Sequence, residues 1–389
     1  MPTIPVTILG PKESGKTVYL SSLFRRLAVQ REDVGCFVTC PPRQSDELNR
    51  AYSRVIGPDG WPDPHALAHT WEWRFTCSVR TEHGRIFSPF TINYLDYTGD
   101  HLALPSEQGT GNGRAVWRCV QDAEFLMVLL DGAKILRCFD GDFGLVRAFV
   151  PVFHAIEQSR AVVYFLLTKW DLLEAAGHSL RSVLDCLLLD PDFDAFHRIR
   201  LRQSRAVALR FFPVSSVGKG FAVQAPDGRM LKRRRYRAPW ISPLHVEMPF
   251  MAVLPDLFRR ELHEIVSEIA GDEAWRGNGT PAERERQLKR LQTIRNEPTL
   301  IHDSLDARAA TSPVLQSMRK TVADAFIDDL DRRITTCTSG GEKDSAAALR
   351  HRMLEARSER EAVAGMVGMT EATLSEFEAT HSGSLAAER

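Results

Sequence analysis

The first half of the chain alternates short apolar runs with polar or glycine-bearing loops, and most of these loops lead into segments whose apolar residues recur at helical spacing. That rhythm predicts an α/β fold: a mainly parallel sheet with helices on both faces. A first strand is expected over residues 4–9 and a helix over 17–29, where Leu20, Leu23, Phe24 and Leu27 share one face. Two long strands are expected over 69–79 and 85–95, joined by a tight turn at 81–84, which makes an antiparallel hairpin at one edge of the sheet. Further strands are expected over 124–130, 161–167 and 209–214.

The pattern changes near residue 270. Residues 271–281 are rich in glycine and polar side chains and read as a linker, and the charged, helix-favouring stretches 282–295 and 313–334 follow. The expected division is a folded α/β domain over 1–270 and a helical C-terminal region over 271–389. From Thr338 on, large apolar side chains are sparse, so this end reads as partly disordered or ordered only by a partner.

A length of 389 residues suits two domains, or one enlarged domain with an appendage, and needs no disulfide or metal staple. Lys plus Arg and Asp plus Glu number 50 each, so net charge supplies no pull towards nucleic acid or an anionic membrane. The basic run 232–237 is the local exception; it reads as a site for nucleic-acid or lipid phosphates or as a solvated loop. The seven cysteines are scattered and form no C-x-x-C unit, which argues against a disulfide framework and a zinc site and fits a reducing cytoplasm. No basic leader precedes the first strand, and the apolar runs fall far short of the roughly 18 residues a membrane span needs, so a soluble, cytoplasmic protein is expected.

The candidate chemistry lies in the loops that follow the strands. Residues 10–17, Gly-Pro-Lys-Glu-Ser-Gly-Lys-Thr, match G-x-x-x-x-G-K-[ST] between the first strand and the first helix. Such a loop wraps its backbone N–H groups and the helix N-terminus around phosphates. Gly10, Glu13, Ser14, Gly15, Lys16, Thr17 and Val18 are therefore candidate nucleotide contacts, with Lys16 bridging the β- and γ-phosphates and Thr17 giving its hydroxyl to Mg2+. The side chains of Lys12 and Glu13 read as solvated. Asp96-Tyr97-Thr98-Gly99 follows an apolar strand, where the carboxylate of Asp96 is placed to hold magnesium through water and the Gly99 N–H to meet the γ-phosphate. Thr168-Lys169-Trp170-Asp171 ends another apolar strand. There Asp171 would accept both adjacent donors of a guanine ring; adenine would present it an acceptor and leave the carboxylate unpaired. Lys169 would lie along the base and Thr168 would tie down the loop. Ser215 and Ser216, after the strand ending at Val214, are placed to offer backbone N–H groups to the guanine O6.

With these elements in order over residues 1–270, the chain resembles P-loop GTPases of the TRAFAC class, the Ras-like and translation-factor-like G domains. Softer features, Trp61-Pro62 leading to Thr70, resemble the bacterial "double-GTPase" kind found in conflict or defence operons. The resemblance implies a G domain that binds GTP with Mg2+, hydrolyses it, and acts as a switch through a protein partner or activator. It also implies a magnesium-binding switch threonine, for which Thr70 is the candidate; a plain strand-starting threonine is the other reading.

Two departures bear on activity. Asp100 follows Gly99 where many relatives carry a water-positioning glutamine, and His101 next to it is either that water-orienting residue or an exposed loop histidine. Hydrolysis is therefore expected to be slow or to need an activator, with Arg114 and Arg118 as candidate arginine fingers from within the chain. The alternative function is a GTP-binding scaffold with little intrinsic hydrolysis, in which nucleotide stabilises the fold by mass action.

Overall fold

The computed structural model describes residues 3–31, 33–58, 60–62, 72–98, 112–203, 209–225, 228–233, 241–270, 281–296, 299, 303, 327, 330, 331, 334 and 346–386. Nine strands are seen among them: β1 (Thr3–Gly10), β2 (Phe37–Thr39), β3 (Glu72–Arg80), β4 (Ile86–Thr98), β5 (Phe125–Asp131), β6 (Val162–Thr168), β7 (Leu209–Pro213), β8 (Ala222–Gln224) and β9 (Met230–Lys232). In the first half the helices are α1 (Lys16–Leu27), α2 (Pro42–Ile56), α3 (Asn112–Gln121), α4 (Gly132–Phe139) and α5 (Gly144–Glu157). They continue with α6 (Trp170–Ala175), α7 (Leu180–Leu187), α8 (Pro191–Gln203), α9 (Met248–Ala270), α10 (Pro281–Asn296), α11 (Ala346–Leu354) and α12 (Glu359–Thr380).

Seven strands form one sheet in the order β2-β3-β4-β1-β5-β6-β7. From β4 to β7 all neighbours are parallel, and β2, β3 and β4 pair antiparallel. The α/β expectation holds, including the antiparallel hairpin. The hairpin is not the outermost element, because the three-residue β2 adds beyond it. β5 and β6 are buried along their whole length and apolar up to their last residues, Asp131 and Thr168, as central parallel strands covered on both faces must be. β3 instead alternates, burying Trp73, Phe75, Cys77 and Val79 and turning Glu72, Arg74 and Arg80 outward.

The two faces carry separate cores. One joins α1 and α9 to Ile4, Val6 and Ile8 of β1; the other joins α5, α7 and α8 to Leu126, Val128 and Leu130 of β5. After β1 the chain builds β2, β3 and β4 on one side of it and then β5, β6 and β7 on the other, so the order reverses at β1. In open α/β sheets that reversal opens a crevice beyond the carboxyl ends of the strands.

The C-terminal residues share the first core. Leu349, Met353, Val363, Met366 and Met369 are buried against it, and Glu82 N–H donates to the Leu354 carbonyl at 2.9 Å. Residues 346–386, part of the end read from the sequence as partly disordered or ordered only by a partner, are packed here, and the medium-sized methionines, alanines and valines of α12 fill the face of a sheet that is already built. Beyond α12 the chain pairs with the outer edge of β7, Phe211 N–H donating to the Ser384 carbonyl (2.7 Å) and Ala386 N–H to the Leu209 carbonyl (3.1 Å), so that edge is partly covered. Arg210 of β7 is buried and doubly bonded to Asp256 of α9 (2.5 and 2.7 Å), whose Oδ2 also accepts from the Tyr164 hydroxyl at 2.8 Å; Glu378 of α12 completes the set. Among the described residues no helix is long and apolar enough to cross a membrane.

Candidate nucleotide site

The loop after β1 begins where the chain cannot carry a side chain: a Cβ on Gly10 would lie 2.6 Å from Ser14 Oγ and 3.1 Å from Leu129 Cβ. Ser14 N–H donates to the Pro11 carbonyl at 3.1 Å, closing the loop on itself. α1 starts with Gly15 at φ 93 as its N-cap and with no side-chain cap, so its first N–H groups point out of the helix end unclaimed by a side chain. Ser14 is buried, and its hydroxyl has no partner among the described residues. Lys16 Nζ donates to the carbonyls of Gly10 and, at 3.4 Å, of Pro11, which keeps the ammonium over the loop. Thr17 and Val18 are half-buried in the first turn.

The loop after β6 is bonded directly to this one. Thr168 Oγ1 lies 2.9 Å from the Ser14 carbonyl and 3.2 Å from the Leu130 carbonyl, linking β1, β5 and β6 at their carboxyl ends. Lys169 takes a left-handed backbone at φ 53 and places Nζ 2.8 Å from Asp131 Oδ2. Asp131 is itself buried and caps α4, its Oδ1 accepting from Ala133 N–H at 2.9 Å. The next residue, Gly132, has the Thr168 carbonyl so close that a Cβ there would meet it at 2.3 Å.

Asp171 lies in the first turn of α6, 6% exposed, and accepts from the Ser215 hydroxyl at 2.6 Å. Burial pushes its carboxyl pKa up, and the Ser215 bond and Lys169 only partly offset that. Ser215 Oγ also accepts from Gly218 N–H at 2.9 Å, and the Ser215 backbone exchanges two bonds with Leu244 (2.8 and 3.1 Å). The Ser216 carbonyl accepts from Ser22 Oγ of α1 at 2.9 Å, which fixes this third loop to the helix of the first.

The loops after β1, β6 and β7 thus meet on one side of the sheet, and the sequence-predicted residues Gly10, Glu13, Ser14, Gly15, Lys16, Thr17, Val18, Thr168, Lys169, Asp171, Ser215 and Ser216 come together there. Three non-glycine residues among those described have positive φ, and all lie in or beside these loops: Glu13 (68), Lys169 (53) and His245 (54), the last following Leu244. Backbone held in a sparsely populated region needs surroundings that enforce it, and such residues gather at ligand sites. The backbone of Asp96 pairs with Ile8, two residues before Gly10, because β4 runs on to Thr98 rather than stopping at residue 95. Thr70, Gly99 and His101 lie outside the described residues, as does the side chain of Asp96.

Sequence reasoning missed Asp131 and the Leu244–His245 segment. The Asp-Gly pair closing a fully apolar strand was the available signal for the first; nothing local marks the second, since its partner Ser215 is contacted through backbone alone. The basic run is described only at Lys232 and Arg233. Lys232 Nζ there donates to the carbonyls of Arg54 (2.6 Å), Gly57 (3.0 Å) and Gly60 (3.2 Å), joining β9 to the end of α2. Trp61 donates Nε1–H to the Met230 carbonyl at 2.7 Å and lies beside Phe221.

No family model matches the chain, and no curated protein matches it in sequence. Among solved structures it is similar to the S. cerevisiae Ski7 GTPase-like domain, bound to GDP and inorganic phosphate, at 13% identity and a TM-score of 0.31. That likeness covers 62% of this chain and 48% of the other, so the chain spans about half the length of the structure it matches.

Proposed function

We propose that the chain binds GTP in the crevice beyond β1, β6 and β7 and hydrolyses it with Mg2+, as a TRAFAC-class P-loop GTPase that acts as a nucleotide-dependent switch through a protein partner. The observation that carries this is the bonding of Thr168 to the Ser14 carbonyl together with the bonding of Asp171 to Ser215: a phosphate loop and a guanine-reading carboxylate share one rigid frame. The fit to a polyphosphate rests on the uncapped end of α1 and on the buried, unpartnered Ser14 hydroxyl, both of which an anion's oxygens satisfy. At the other end Asp171 would accept from the two guanine donors, with one of its oxygens held by the Ser215 hydroxyl.

Lys16 neutralises charge on the β- and γ-phosphates when it turns from its own loop carbonyls towards them. Thr17, in the first turn of α1, is the proposed magnesium holder, with Asp96 and Thr70 as further proposed holders read from the sequence. Bound there, the ion would stabilise charge on the transferred phosphoryl group. Gly99 and His101 are the proposed γ-phosphate contact and water-orienting residue. The proposed G domain spans residues 1–270, and residues 271–389 are the proposed helical C-terminal region. A cytoplasmic setting, a defence-operon context and nucleic-acid contact at the basic run belong to the same reading on sequence grounds only.

The second reading, a GTP-binding scaffold that hardly turns over, is favoured by Asp100 at the position after Gly99. Phosphate release from GTP and Mg2+ by the full chain, with Lys16→Ala as control, separates the two. Release above the control supports the switch; release equal to the control in a protein that binds GTP leaves the scaffold.

A further inference from the structure

The buried carboxylate Asp131 belongs to none of the sequence motifs, yet it touches the most unusual residue of the base-reading loop. We infer that Asp131 is a positioning residue for guanine recognition, acting through Lys169; this rests on the guanine-binding reading above.

The side chain of Asp131 is 5% exposed, and both its oxygens are engaged: Oδ1 caps α4 through Ala133 N–H, and Oδ2 takes the Lys169 ammonium at 2.8 Å. Capping alone needs one oxygen, and asparagine or serine does it as well as aspartate. The negative charge is accounted for by Lys169. Asp131 is the register partner of Thr168 on the adjacent parallel strand, and β5 lies between β6 and β1. The lysine stem therefore runs from the β6 loop back towards the phosphate-loop side of the crevice, its far end held by the carboxylate at the mouth of β5.

The backbone agrees with this direction. Lys169 adopts φ 53, and the Gly132 Cα lies against the carbonyls of Thr168 and Lys169, where a Cβ would approach to 2.3 and 3.0 Å. The β5–α4 corner thus fixes both ends of the residue: its backbone by contact with Gly132 and its ammonium by the Asp131 charge. A long side chain pinned at both ends gives the flat face of a base a surface to lie on without the loss of rotamer entropy that ordering a free lysine costs. Without Asp131 the ammonium returns to water and the stem no longer has one position.

The test uses the full chain and titration calorimetry with GDP on four proteins: wild type, Asp131→Asn, Lys169→Met and the double variant. Asparagine keeps the α4 cap, and Asp131→Ser is the second uncharged capping variant should the first melt early. The expected result is a loss of GDP affinity of about tenfold for either single variant, with the double no more than about twofold worse than the weaker single, as for two residues acting as one unit. A purely structural role at the α4 corner predicts instead that the Asp131→Asn loss persists in full on the Lys169→Met background. That result, or GDP affinity of both uncharged variants equal to wild type, overturns the inference and leaves the guanine reading standing. Wild-type protein that binds no GDP overturns both.

Discussion

The two ends of the candidate site are built differently. At the base end the polar side chains are already satisfied by the protein: Asp171 by Ser215, Ser215 by Gly218, Thr168 by the Ser14 carbonyl, Lys169 by Asp131. At the phosphate end the reverse holds, with an uncapped helix N-terminus, a buried hydroxyl without a partner and a lysine resting on its own loop carbonyls. On the proposed reading, the base end, preorganised by hydrogen bonds between loops, would set selectivity, and the phosphate end, completed by the ligand, would supply affinity common to every nucleoside triphosphate.

Substitutions separate the two ends in that order. Lys16→Ala should lower the affinity for GTP and GDP alike by roughly a hundredfold or more and bring phosphate release to background, because charge on the phosphates loses its neutralising ammonium. Fluorescent-nucleotide titration reads both; an unchanged affinity would place the phosphates elsewhere.

Asp171→Asn should act on selectivity, cutting the preference for GTP over ATP by about a hundredfold or more while leaving ATP affinity near its starting value. It also has an opposite effect on the empty protein. The folded-state pKa of Asp171 is raised by burial, so its ionised form disfavours folding at neutral pH, and this cost is relieved only as pH falls through that raised pKa. The asparagine variant should therefore melt slightly higher without nucleotide at pH 7 and bind guanine worse. For the same reason GTP affinity of the wild type should begin to fall at a pH above the ordinary carboxylate range, a fall absent in the variant.

Ser215→Ala comes next, at about tenfold in GTP affinity, since it removes the hydroxyl that donates to Asp171 and leaves the Gly218 N–H without its acceptor. The smallest effect concerns the end of α12. His381 stacks on Phe377 with ring centroids 4.4 Å apart and lies 4.7 Å from His245, the residue after Leu244 on the Ser215 side. Burial, then the neighbouring His245, lowers the pKa of His381 below 6.5, so the neutral ring is favoured in the fold. A histidine whose folded pKa is depressed loses its stabilising contribution as pH falls below the unfolded value. Wild type should thus lose a degree or two of melting temperature on going from pH 7 to pH 5.5 that His381→Phe, which keeps the stacking, does not.

Most of the sheet was legible because its strands are either apolar up to their last residue, as in β5 and β6, or largely alternating, as in β3, and both patterns have a direct physical reading. β2 was not, since Phe37–Thr39 is too short to carry a period and exists only because β3 offers an edge. The packing of α11 and α12 was also hidden. Many of their apolar residues are alanines, valines and methionines, whose burial depends on a complementary surface contributed from far along the chain, including Cys77 of β3, whose thiol lies 3.9 Å from Met366 Sδ. Within the site, the residues that would touch a ligand sit in local motifs and could be read one by one. The residues that hold those in place, Asp131 and Leu244, act across strands and are visible only once the register is known.

The central claim is that one frame reads guanine at one end and grips polyphosphate at the other, and calorimetric titration of the full chain with GTP and with ATP, each with Mg2+, tests it most directly. The account predicts binding of GTP with ATP at least about a hundredfold weaker. Equal affinity for the two, or binding of neither, would contradict it.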